Sequence, residues 1–452
     1  MQRVPPAAAG TALRILATTD LGAAFMPVTT TYGHSGTCDG VAELLDSERA
    51  RQPTIWLDAG DLVVGPVTPL LGERPWREMG RLPIAAAAAG NHEFDDGVPA
   101  LADAARSLPF PLLCANVDVG LPGSTLIDTA AGPVGVIGLT HPATHRYAPA
   151  PPPADGWGDR VAPRARELRA AGARWVVVLL HDGVDWWPHD GGAPWPIRAR
   201  NDRLETLVAP WAAEADLIIG GHTPGGWVGS LAGTPAGHPF IFASSVLVVD
   251  LPHPPARPVV RGIVAAPAGR PCTTSPAVDA LVAAATDVVG HSTHAWVSRT
   301  GAQRYLPDLI AEALRTAAGA QAGFVLAGQH ATQGALDGAV AGLAAGPITR
   351  LDLMRLFGYD DDRPVVVRLR PGQLQALVDS HDAVTSPRAR HGDDVWWNWC
   401  RMPAGVSVVD DRAVTVAVMP YIVPRLRELV GHDLLVEPCD TGARDALVRV
   451  LR

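Results

Sequence analysis

Gly90-Asn91-His92-Glu93-Phe94-Asp95 is the stretch on which the reading of this chain turns. It sets an amide, an imidazole and two carboxylates in one short turn. Alone, it could be a turn followed by a capped helix. Its neighbours give it meaning. Upstream, Asp20 follows the β-like run Leu13–Thr19, and Asp58-Ala59-Gly60-Asp61 follows Thr54–Leu57. Downstream, His181-Asp182 follows Trp175–Leu180, and Gly220-Gly221-His222-Thr223 follows Leu217–Ile219.

Ligands of an α/β sheet sit beyond the carboxyl ends of its strands. Five separated turns therefore present oxygen or imidazole donors at one sheet edge. Such donors on rigid strand ends suit Mn, Fe, Zn or a similar divalent metal. A metal cluster there could clamp a phosphate and activate water. Taken singly, each residue has a plainer explanation: an Asp at a strand end is usually a cap or turn residue, and a His after a buried strand is more often structural. Order and joint spacing favour the metal reading.

Working outward, residues 13–265 alternate short apolar runs with helix-like stretches. Val134–Leu139 and Phe240–Val249 read as further strands, while Val41–Arg51 and Val161–Ala171 read as amphipathic helices. Continuous apolar runs of this length fit strands covered on both faces, so the class is α/β and layered. Residues 1–12 are expected to be disordered. Pro and Gly cluster at 251–276 and mark the domain junction, so 13–265 is one domain and 266–294 a linker with a hinge helix, Pro276–Val289. Residues 295–452 form a smaller α/β unit, with helices Tyr305–Ala317 and Pro371–Ser380 and strands Phe324–Ala327 and Val365–Leu369.

The chain has 452 residues, more than one ordinary domain. Its net charge of −9 argues against a nucleic-acid surface. No apolar run reaches the roughly 18–20 residues that span a bilayer, so no membrane partner is expected. The five cysteines, Cys38, Cys114, Cys272, Cys400 and Cys439, show no paired spacing. With no apolar leader-like run at the start, they point to reduced thiols and a cytoplasmic location. Every basic side chain apart from His is Arg, because the sequence contains no lysine; phosphate must then be held by Arg, His, backbone N–H or metal.

The ordered motifs resemble the calcineurin-like metallophosphoesterases and, within them, the two-domain 5′-nucleotidases. The family pattern is D-x-H, G-D, G-N-H-E-F-D, a strand ending in His, and G-H-x-H or G-H-x-Q. Here it falls on Asp20, Gly60-Asp61, Gly90 to Asp95, His181 and Gly221-His222. The resemblance continues through Leu112–Asn116, Ile137–Thr140, Gly346–Thr349 and Met354–Gly358. It implies a layered metallophosphoesterase domain followed by a nucleotidase-type substrate domain. It also implies divalent metal (Mn, Fe, Zn, Co or Mg) held by Asp61, Asn91, His181 and His222, with Asp20 left from a first site. His92 would be the acid-assisting residue and Asp95 its orienting partner. Phe357 and Tyr421 would sandwich a nucleotide base, and Arg304 would lie near the substrate.

The pattern also breaks. The D-x-H histidine position is Gly22 and the last G-H-x-H position is Pro224, and neither can replace an imidazole. One metal site is complete and the other keeps two carboxylates. The G-G-x-R turn of the second domain is replaced by Ala327-Gly328-Gln329-His330-Ala331-Thr332, and Trp396-Trp397-Asn398-Trp399 is unusual. The expected function is hydrolysis of a small phosphorylated substrate, a nucleotide or related sugar phosphate, at one metal. The alternatives are non-hydrolytic chemistry such as phosphate elimination in specialised biosynthesis, and a binding protein that has lost catalysis.

Overall fold

The computed structural model describes residues 4–27, 29–30, 33–34, 36–142, 144–147, 149–151, 158–183, 202–223, 226–267, 275–297, 306–324, 342–357, 362–376, 412–431 and 433–451. The chain is α/β and divides into two compact units, one of Met1–Val28 and Gly33–Ala280 and the other of Thr29–Tyr32 and Leu281–Arg452.

Two six-stranded sheets build the first unit. The first runs Val259–Ala265, Ser245–Pro252, Thr11–Thr18, Thr54–Asp58, Ala86–Ala88, Leu112–Leu113, with the last four parallel. The second runs Trp227–Leu231, Thr234–His238, Leu217–Gly220, Trp175–Leu180, Val134–Leu139, Ser124–Ile127. Within it, Leu217–Gly220, Trp175–Leu180 and Val134–Leu139 are parallel to one another.

Side chains alternate across a strand, and that period of two makes the layers. Ile15, Ala17 and Leu57 of the first sheet share a core with Val136, Val177 and Ile219 of the second. The alternate residues Ile137, Val178 and Ile218 pack on the opposite face, with Val161, Ala165 and Leu168 of the helix Gly158–Ala170. A strand covered on both faces must be apolar at every position, and Trp175–Leu180 is buried throughout.

The first strand begins at Thr11, earlier than the apolar pattern alone suggested. Its one charged residue, Arg14, is 1% exposed. Arg14 Nε donates to Asp250 Oδ1 at 2.8 Å and Nη1 to Glu48 Oε2 at 2.6 Å. Ala8 N–H donates to Asp250 Oδ2 and Arg14 Nη1 to the Pro5 carbonyl, so the chain is held from Pro5 onward. The strand expected over Phe240–Val249 starts only at Ser245, because Phe242 and Ala243 adopt positive φ and turn the chain. The helix expected over Pro276–Val289 ends at Thr286 and a strand, Val288–Ser292, follows.

The second unit has a four-stranded sheet ordered Ala322–Gly323, Val414–Val418, Val365–Leu369, Leu435–Pro438. Helices Leu306–Ala318, Arg350–Leu356, Val423–Val430 and Ala443–Val450 contribute to its core. Thr349 and Asp352 form a reciprocal capping box at the start of Arg350–Leu356. Among the described residues no helix is long and apolar enough to cross a membrane.

Candidate metal centre

The carboxyl ends of the parallel strands of both sheets bring the polar turns together. Asp61 follows Thr54–Asp58, Asn91 follows Ala86–Ala88, His181 follows Trp175–Leu180 and His222 follows Leu217–Gly220. Asp61, His181 and His222 each offer a ligand atom, all within 4.8 Å of one another. His181 Nε2 lies 3.1 Å from Asp61 Oδ2 and 3.2 Å from Asn91 Oδ1. Asn91 Oδ1 is also 2.8 Å from His222 Nδ1. The four residues expected to hold a metal therefore converge, and an oxygen-and-imidazole donor set of this kind fits a divalent cation.

The surroundings fix these donors. His181 Nδ1 lies 2.8 Å from the Ala59 carbonyl, which holds the proton on Nδ1 and turns Nε2 toward the centre. Glu93, 3% exposed, accepts from the N–H groups of Asp61, Leu62 and Gly90 at 2.6–2.8 Å. Its carboxylate locks the two turns that carry Asp61 and Asn91. Gly90 is required by that close approach, since a Cβ there would sit 2.1 Å from Asp61 Oδ1.

The electrostatics of the pocket favour a cation. Burial pushes Asp20 and Asp58 up to about 7 and Glu93 up to about 8. Burial also disfavours charge on Asp61 and His181, but each is outweighed by the other. Asp61 falls to about 2 beside the His181 charge, and His181 rises to about 10 beside Asp61. Loss of water contact and the facing His141 and His181 hold the half-buried His222 well below the ordinary imidazole range, so its neutral ring keeps one nitrogen lone pair for bonding. A carboxylate-rich pocket in which an imidazolium is the central cation is one that a divalent ion suits.

Asp20, expected as what is left of a first metal site, lies beside this centre. Its Oδ2 accepts from Thr19 Oγ1 at 2.5 Å and from His222 N–H at 2.9 Å, which anchors the His222 turn. The position that lacks an imidazole is closed: Gly22 has φ +53°, and a Cβ on it would lie 2.3 Å from Phe242 Cε1 and 2.9 Å from the Val64 carbonyl. The aromatic ring thus fills the space a side chain at position 22 would enter. Phe242 is brought there by the positive-φ turn, with its N–H donating to the Asp20 carbonyl at 2.8 Å.

His92 Nδ1 lies 2.8 Å from Asp95 Oδ2, the pair expected to handle protons. Burial lowers the His92 pKa, but the charge of Asp61 and the hydrogen bond and charge of Asp95 raise it to about 9. Arg74 stands 3.7 Å from Asp95.

Two residues of the centre, His141 and Arg203, were not singled out from sequence. His141 stacks on His222 with ring centroids 4.1 Å apart. Arg203 makes a two-pronged contact, at 2.7 and 2.9 Å, with the fully buried carboxylate of Asp182. His141 follows a strand end just as His181 does, and that position was the available signal.

Of the residues expected at the substrate, Phe357 is 2% exposed and belongs to the core of the second unit. The Tyr421 backbone sits in the turn Pro420–Ile422, while its side chain, Arg304, Pro224, Ala327–Thr332 and Trp396–Trp399 lie outside the described residues.

Residues 13–226 match the calcineurin-like phosphoesterase family model. The 5′-nucleotidase of Mus musculus is 26% identical over 204 residues, covering 41% of this chain and 32% of the mouse protein. That of Rattus norvegicus is 28% identical over the same length and the same shares. The chain thus aligns with less than a third of the length of these relatives. Among solved structures, a 5′-nucleotidase precursor from Thermus thermophilus superposes with a TM-score of 0.70 at 19% identity, covering 97% of this chain and 96% of that one. The 5′-nucleotidase of Candida albicans gives 0.67 at 12% identity and 98% of both. The Thermus thermophilus sulfate thiohydrolase SoxB, in complex with glycerol, gives 0.68 at 15%, covering 100% of this chain and 95% of that one. These likenesses establish a shared two-domain fold.

Proposed function

We propose that this chain, whose residues 13–226 match the calcineurin-like phosphoesterase family model, hydrolyses the phosphomonoester of a nucleotide or related sugar phosphate with one divalent metal. The observation that carries this reading is the convergence of Asp61, Asn91, His181 and His222 on one point. A bound ion would polarise the phosphoryl group and activate water. The chain's own residues supply the rest. Ala59 fixes the tautomer of His181, Asn91 spans His181 and His222, and Glu93 holds the turns in register. His92, protonated and oriented by Asp95, gives its proton to the departing oxygen.

The closure of Gly22 by Phe242 supports one metal rather than two. The nucleotide half of the reading rests on the 5′-nucleotidase relatives and on Tyr421; the burial of Phe357 counts against its ring being one face of a base sandwich. Arg304 stays in the proposal as a phosphate- or ribose-facing group. A cytoplasmic site of action is supported by the thiols Cys114 and Cys439.

The reading is tested by stripping the protein with a chelator, adding back Mn(II), and measuring phosphate released from a nucleoside 5′-monophosphate and a sugar phosphate. Activity should vanish on stripping, return with Mn(II), and be absent from Asp61→Asn and His181→Ala. Release that survives both chelation and these substitutions would sink it.

A further inference from the structure

We infer that His141 is a positioning residue for the metal ligand His222, acting across the face of its ring. This rests on the metal reading above. The sheet itself sets the arrangement. Val134–Leu139, Trp175–Leu180 and Leu217–Gly220 are adjacent and parallel, with Leu139 and Gly220 both in register with Leu180. Two residues beyond that register come His141, Asp182 and His222. The backbones of strands one removed from each other are roughly 10 Å apart. The two imidazoles nevertheless meet over the intervening strand end, centroids 4.1 Å apart and planes 28° from parallel.

Three contacts constrain His222. Asn91 Oδ1 faces its Nδ1 at 2.8 Å, and His181 meets it edge-on with centroids 5.3 Å apart. Neither lies flat against the ring, so the stacked His141 is what fixes its plane. His141 is in turn held: it is 4% exposed, and its Nε2 is 3.8 Å from Asp182 Oδ1. That carboxylate is clamped by Arg203 and by the Gly183 N–H. An apolar side chain would fill the same volume without the cost of burying an imidazole and an ion pair. Groups that orient a metal ligand typically contribute about 10- to 100-fold in metal affinity.

The test uses the whole protein, freed of metal and titrated with Co(II), for wild type, His141→Ala and His141→Phe. His141→Ala should weaken Co(II) binding about 10- to 100-fold and alter the visible Co(II) spectrum. His141→Phe, which keeps a flat ring on His222, should stay close to wild type in both. Thermal unfolding of the metal-free proteins separates this from loss of fold; should His141→Ala not fold, His141→Leu takes its place with the same expectation. Wild-type affinity and spectrum in the ringless variant would overturn the inference while leaving the metal reading intact. Wild-type protein that takes up no Co(II) would overturn both.

Discussion

At Gly22 the backbone is left-handed and the Phe242 ring lies where a side chain would begin. Gly22→His should therefore lower thermal stability and leave the metal count unchanged, as read by elemental analysis; a gain of a second metal would refute the closed-site account. His92→Asn should cost about 10²–10⁴-fold in kcat with metal content intact. An acid with a pKa of about 9 works below that pH and fails as pH rises through it. Asp95→Asn removes one of the groups that raise the pKa, so the alkaline fall in rate should move to lower pH. The convergence of Asp61, Asn91, His181 and His222 was legible because each lies in a motif of fixed order. His141 offered only a strand-end position like that of His181, outside any motif, and Arg203, in a helix, offered none until the fold set it against Asp182.

The elements were legible wherever burial on both faces demanded unbroken apolar runs, as in Trp175–Leu180 and Val134–Leu139. They were misread where the backbone departs from what residue type suggests. Phe242 and Ala243 sit at positive φ, a conformation that non-glycine residues rarely adopt and sequence does not announce. That turn shortened the expected strand and placed the ring against Gly22. In the first strand, Arg14 is read correctly only with Glu48 and Asp250, which are 34 and 236 positions away. Arg14→Met would remove the buried cation that Glu48 and Asp250 share, leaving each only a more exposed arginine, Arg51 and Arg261. It should cost about 3–5 kcal/mol in chemical denaturation, and a loss below about 1 kcal/mol, typical of an exposed pair, would show that the cluster is not what holds this edge.

For the molecule as a whole, the order of motifs forecast a layered phosphoesterase unit followed by a smaller α/β unit, and the shared fold with the two-domain 5′-nucleotidases agrees. Substrate recognition was less legible, since aromatic residues at matching positions can serve either a base or a core. Phe357 lies in the core of the second unit, so Phe357→Ala should cost about 3–5 kcal/mol of stability. A base-stacking ring would instead raise KM for a nucleotide and spare a substrate without a base. The central claim, that water attacks phosphorus at this centre, is tested most directly in oxygen-18 water. Metal-loaded protein is given a panel of nucleoside and sugar phosphates, and the released phosphate is weighed by mass spectrometry. The account predicts one labelled oxygen in each phosphate; unlabelled phosphate, released by carbon–oxygen cleavage, would contradict it and favour elimination.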